Sequence, residues 1–160
     1  MNYYHDCCLP FANNSVHAIH DLKYAPEGAN MTKLEDLMVD ESAFDRDLLA
    51  GALKGLLVVT SAGELRTLDA WTALGATGRV VAGLLGLKAA HALGKRPDEA
   101  VTPSELSSLA GIPSGTAKRE LRELTSAGVI DQGDDGRYSV AGIRVGRAIA
   151  ELKRGAGDAQ

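Results

Sequence analysis

The sequence predicts a mainly helical α+β fold carrying small β-hairpins, and three observations lead to it. Apolar residues recur at helical spacing from Phe44 to Leu56, through "GRVVAGLLGLKAAHAL", and in the last third of the chain. Two pairs of short runs flank glycine-containing turns: "LLVVT" and "ELRTL" around "SAG", then "VID" and "RYSV" around "QGDDG". Apolar residues make up 45% of the 160, enough to enclose the core of one ordinary domain or two small ones.

Charge limits the partners. The net charge of -4 argues against a chain that coats nucleic acid non-specifically. Residues 1–40 hold two lysines against six acids, so the remainder is neutral and any basic patch must be local. The most apolar run, Val80 to Leu87, is closed by Lys88 and His91 and is too short to span a bilayer, so no membrane partner is expected. No basic-then-apolar leader opens the chain, and its two adjacent cysteines make no disulfide framework. The expected location is the reducing cytoplasm.

Residues 1–30 have no sustained period and end in Pro, Gly and Asn, which reads as a disordered extension. The pattern changes at Met31, a second start point, where Thr32 and Glu35 have the spacing of a capping box. The extension concentrates zinc-type ligands, His5, Cys7, Cys8, His17 and His20, but adjacent cysteines chelate awkwardly. No metal or other cofactor is expected. Residues 31–78 form the N-terminal region of a helix and a β-hairpin.

In the next helix Gly78, Ala82, Gly86 and Ala90 make a ridge of small residues that lets another backbone come close. That places the helix at the buried centre of the fold or at a homodimer seam, and burial is the first expectation. Residues 94–99 read as a turn or short linker.

"VTPSELSSLAGIP" then opens a helix with Thr102 as N-cap, Pro103 at the first helical position and Glu105 completing a capping box. Leu106, Leu109 and Ala110 mark its inward face, Gly111 ends it, and Ile112-Pro113 makes a short turn. Ser114 is the expected N-cap of a second helix over 114–127, stopped by Gly128. Two short helices joined this way form a helix-turn-helix, and the second hairpin, over 129–141, follows at once. With these motifs the chain resembles the winged helix-turn-helix superfamily, in particular prokaryotic transcriptional regulators with patterns comparable to "SELSSLAGIPSGTAKRELREL" and a following "GVI". The resemblance covers about residues 79–141, counting the apolar helix as the family's first. It implies a domain over 79–154 with a tail at 155–160, double-stranded DNA as partner, the second helix in the major groove and the hairpin as a wing.

On a helical wheel Ala117, Leu121 and Leu124 cluster on the inward side of that second helix, opposite Gly115, Arg119, Arg122 and Ser126. Lys118 flanks Arg122, and Thr116, Glu120 and Glu123 fall on the other flank. Lys118 and Arg122, four apart, repel by a few tenths of a kcal/mol, an arrangement better suited to an acidic partner than to a free helix. Ser114, Gly115 and Thr116 are small enough to admit a phosphate to the free N–H groups of the first turn. Arg119 and Arg122 are the candidates for base edges, and Lys118 and Arg137 for phosphates. Against this, Arg119 has Glu123 within reach on its own helix, Asp131, Asp134 and Asp135 oppose a phosphate, and residues 101–154 hold eight basic groups against seven acids. Neutralising three or four phosphates predicts an affinity loss of roughly 50- to 150-fold between 50 and 200 mM salt.

One copy would therefore bind weakly. A homodimer would double the contacts, and "VAGIRVGRAIAELKR" offers an apolar side at Ile143, Val145, Ala148, Ile149 and Leu152 that serves either dimerisation or closure of the domain. The alternative to a DNA-binding regulator is a winged-helix protein–protein interaction module or assembly subunit that never touches DNA. An enzyme is not expected: His91 lies on an apolar helix, and neither a nucleophile elbow nor a phosphate-cradling glycine loop occurs. A faint internal echo lays "GLLVVTSAGEL" over "GVIDQGDDGRY", with Gly55 on Gly128 and Gly63 on Gly136.

Overall fold

The computed structural model describes Asp40 and residues 43–157. The extension with Cys7, Cys8, His17 and His20, the Thr32–Glu35 box and the last three residues lie outside the described residues. The described residues are mainly helical, with two small antiparallel hairpins among them.

Asp45 opens α1 (Arg46–Leu53) by accepting a hydrogen bond from the N–H of Leu48 at 2.9 Å, an N-cap that satisfies one of the free first-turn donors. The helix turns its Leu49 and Leu53 inward. The first hairpin follows, β1 (Leu57–Val59) paired with β2 (Leu65–Thr67), then a 3-10 turn over Asp69–Ala73 that buries Trp71.

The centre of the fold is α2 (Ala76–Ala92), whose stretch 80–87 is apolar on every side, with Val80, Val81, Ala82, Leu84 and Leu85 fully buried. A helix without a polar stripe must be enclosed, and α2 packs against α1, α3, α4, α5 and the first hairpin. The small-residue ridge is covered from within the chain. A Cβ on Gly86 would meet Leu57 at 2.9 Å and Leu65 at 3.1 Å, both of the first hairpin, and one on Gly78 would touch Leu74. Ala82 and Ala90 are fully buried.

The helix start read at Thr102 has the predicted geometry in α3 (Pro103–Ala110). The Thr102 side chain accepts from the N–H of Glu105, whose carboxylate accepts from the N–H of Thr102 at 2.9 Å. Gly111 ends α3 at φ 64°, a left-handed cap. The next helix, α4 (Ser114–Ser126), starts one residue earlier than the Ser114 cap implied. Pro113 occupies the cap position, its fixed φ of -58° leading in and its carbonyl accepting the first helical bond from Ala117, so Ser114 is already helical. At the other end Gly128 and Val129 return hydrogen bonds to Thr125 and Leu124.

The second hairpin pairs β3 (Asp131–Gln132) with β4 (Tyr138–Ser139), shorter than the runs marked in the sequence. Val101 adds an antiparallel bridge to Tyr138, with both backbone bonds made. After a 3-10 turn over Gly142–Arg144, α5 (Val145–Gly157) lays Val145, Ala148, Ile149 and Leu152 into the core, largely against α2. Of the two uses open to its apolar side, closure of the domain is the one observed. Ile143, placed on that side in the sequence, is instead 55% exposed in the turn before the helix.

Among the described residues no helix is long and apolar enough to cross a membrane.

Candidate nucleic-acid interface

Rotation of α4 about its axis is set by what it buries. Ala117, Leu121 and Leu124 face the core as the wheel requires. So does Glu120, which the wheel had placed on the acidic flank and which is only 3% exposed. The correction has a clear cause. One carboxylate oxygen accepts the Thr77 hydroxyl at 2.6 Å from the first turn of α2, and the other accepts Arg119 Nη2 at 2.6 Å. A buried carboxylate is tolerable when both oxygens are hydrogen-bonded. Burial on its own would raise the Glu120 pKa, but the Thr77 and Arg119 bonds outweigh it and hold the group below its ordinary value. The Glu120–Thr77 bond thus pins α4 to α2 and fixes which face points out.

That outer face carries Lys118, Arg119 and Arg122, all exposed. Among the described residues Lys118 and Arg122 have no hydrogen bond or ion pair, and they stand one turn apart with like charge. Arg119 is placed differently. Besides its bond to Glu120, its Nε lies 3.8 Å from Glu123, the same-helix pairing weighed in the sequence, and the Glu120 bond raises its pKa above the ordinary arginine value. An arginine has five N–H donors, so this leaves part of the guanidinium fork available while restricting its orientation. The acidic flank therefore reduces to Glu123, since Glu120 is inside.

At the N-terminus of α4, Ser114 and Gly115 are exposed and Thr116 half-buried. The first main-chain bond belongs to Ala117, which leaves the three preceding N–H groups pointing out of the helix end beside Lys118.

Arg137 is not part of this face. Its guanidinium is committed to the Asp98 carboxylate and the Ala100 carbonyl, and it straps β4 to the segment before α3. Asp98 in turn accepts the N–H of Ala100, the largest of the influences that hold its pKa below the ordinary value, with Arg137 adding to it. Arg144 pairs with Asp131 at 2.7 Å and reaches the Ile130 carbonyl at 3.2 Å. The hairpin is thus anchored at its base by two arginines, and its exposed tip keeps Asp134 and Asp135.

Sequence reasoning missed Glu120, Thr77 and Asp98. The one signal for Glu120 was its position one before Leu121 and three after Ala117, at the margin of the inward arc. His91 is exposed, with Nδ1 3.0 Å from the Arg96 carbonyl. Among the described residues no group of three or more His, Cys, Asp or Glu side chains is placed to hold a metal ion.

No family model matches the chain, and no curated protein or solved structure is significantly similar to it.

Proposed function

We propose that the chain is a sequence-specific DNA-binding protein of the winged helix-turn-helix type, a transcriptional regulator whose α4 enters the major groove. The carrying observation is the outer face of α4: two cations with no partner among the described residues, a third held in place, and an open helix N-terminus beside them. The order α2, Val101 bridge, α3, α4 and hairpin supports the architecture. In this reading Ser114, Gly115 and Thr116 receive a phosphate, Lys118 holds a second, and Arg122 reaches a base edge, where a bidentate contact to guanine discriminates by about 1–3 kcal/mol. Arg119, steered by Glu120 and Glu123, reads with the part of its fork that remains. Arg137 keeps the hairpin in place for the wing role instead of contacting phosphate.

The interaction-module reading draws on the ridge and on α5, and both are packed within the chain. Neither leaves an obvious seam for a second protein, so the DNA reading is preferred.

The test is a mobility shift with a random-sequence duplex at 50 mM salt. Wild type shifts it, and Arg119→Ala with Arg122→Ala removes the shift while circular dichroism stays unchanged. A folded double variant that binds as wild type does would exclude α4 as the reading helix.

A further inference from the structure

Two adjoining cavities lie away from the α4 face. One is a polar cleft of about 540 Å³ with Lys88, His91 and Glu99 on its walls and Asp131 and Ser139 of the second hairpin at its edge. The other is a notch of about 110 Å³ with an almost wholly apolar lining, including Leu49, Ala50, Ala89 and Leu93. Phe44, Arg46 and Ala92 border both, so the two lie side by side.

Their charges decide the ligand. Each of the two carboxylates of the cleft has a cationic partner, Lys88 for Glu99 at 2.8 Å and Arg144 for Asp131 at 2.7 Å, while the buried Oδ2 of Asp131 has no hydrogen-bond partner among the described residues. Arg46 is exposed and, among the described residues, has neither a hydrogen bond nor an ion pair, so the cleft keeps an unbalanced positive charge. Lys88, 3% exposed, makes one hydrogen bond with an ammonium that has three donors, and the Phe44 ring lies 5.1 Å away. His91 gives its Nδ1–H to the Arg96 carbonyl, which leaves Nε2 as an acceptor in the neutral ring and as a donor in the imidazolium. The cleft thus holds more positive than negative charge among the described residues, and the notch offers an almost wholly apolar lining.

We propose that this double cavity binds a small organic acid, its carboxylate between Arg46 and Lys88 and its hydrocarbon chain in the notch. The notch has room for about four methylene-sized groups, taking a water's share of about 30 Å³ as the measure, which is too small for a helix of a partner protein. An amine of equal length would bring its charge against Arg46 and Lys88. The site does not depend on the DNA reading.

The experiment is an amide NMR titration of the full chain with hexanoate, hexylamine and acetate. Hexanoate saturates, moves the resonances of Arg46, Ala89 and Ala92, and binds at least about tenfold tighter than acetate, since each buried methylene contributes up to about fourfold. Hexylamine binds at least about tenfold more weakly than hexanoate. Arg46→Glu, at an exposed position, lowers hexanoate affinity about tenfold, and Ala92→Trp, which fills the junction, abolishes binding. Equal binding of hexylamine, failure of hexanoate to saturate, or an unchanged Arg46→Glu would overturn the proposal.

Discussion

The helix–hairpin segment α1–β1–β2 and the segment α4–β3–β4 are built alike and used differently. Each helix is followed by a glycine of positive φ, Gly55 at 83° and Gly128 at 66°, and each hairpin turn holds another, Gly63 at 85° and Gly136 at 75°. The faint sequence echo thus corresponds to a shared backbone logic. The first hairpin is clasped by the rest of the chain: a Cβ on Gly63 would fall 2.2 Å from the Lys95 carbonyl oxygen, and Leu57 and Leu65 press on Gly86. The second has open space at Gly136 and an exposed tip. The helices differ in the same sense. α1 carries one arginine, Arg46, at its start, without a partner among the described residues, whereas α4 gathers Lys118, Arg119 and Arg122 on one outer face. The same local motif serves as a core wall once and as a presented surface once, and what sets them apart is the packing around them.

The largest expected effect separates the two turns. Gly63→Ala combines a left-handed backbone with a collision against main chain and is expected to cost about 3–4 kcal/mol, while Gly136→Ala bears only the backbone term of about 1–2 kcal/mol. Urea unfolding of both variants checks this, and equal losses would mean the first hairpin is no more clasped than the second.

Next comes the anchor that only the second unit has. Glu120→Ala removes the acceptor of Thr77 and Arg119 and is expected to cost about 1–3 kcal/mol. Because the folded pKa of Glu120 is depressed, its contribution is complete above the ordinary value of 4.5 and is lost as the pH falls below that and through the folded value. Glu120→Gln should therefore flatten the acid limb of stability measured by thermal melts between pH 7 and 3. The limb that remains belongs to groups such as Asp98 and Glu105, also held below their ordinary values. A limb as steep as wild type would remove Glu120 from the account.

The smallest effect is at the base of the second hairpin. Arg144→Ala breaks a partly exposed pair with Asp131 and should cost no more than about 1 kcal/mol. A larger loss in the same urea assay would show that the hairpin depends on this pair more than on its strap at Arg137.

These differences also mark what could be read in advance. The Thr102–Glu105 box, the stop at Gly111 and the turn before α4 were legible because each is settled within a few residues. Both hairpins were legible from their glycines, though their strands came out shorter. Glu120 was not legible because its partner Thr77 lies 43 residues upstream, and Arg137 was misassigned because Asp98 lies 39 residues before it. A charged side chain at the rim of a helix face looks solvated until the partner across the core is known. Lys118 and Arg122 kept their outward placement because nothing distant among the described residues reaches them.

The central claim is that the outer face of α4 binds the DNA backbone and bases, and its salt dependence is the most direct measure. With Arg137 committed inward, Lys118, Arg119 and Arg122 bring about three positive charges to the duplex, each displacing about one condensed counterion, so duplex affinity should fall about 40-fold per copy between 50 and 200 mM salt. Fluorescence anisotropy of wild type and of Lys118→Ala with Arg122→Ala at both salts decides it. The account predicts that steep loss for wild type and a much shallower one for the weakened variant. Absence of binding at 50 mM salt, or identical slopes for the two proteins, would contradict it.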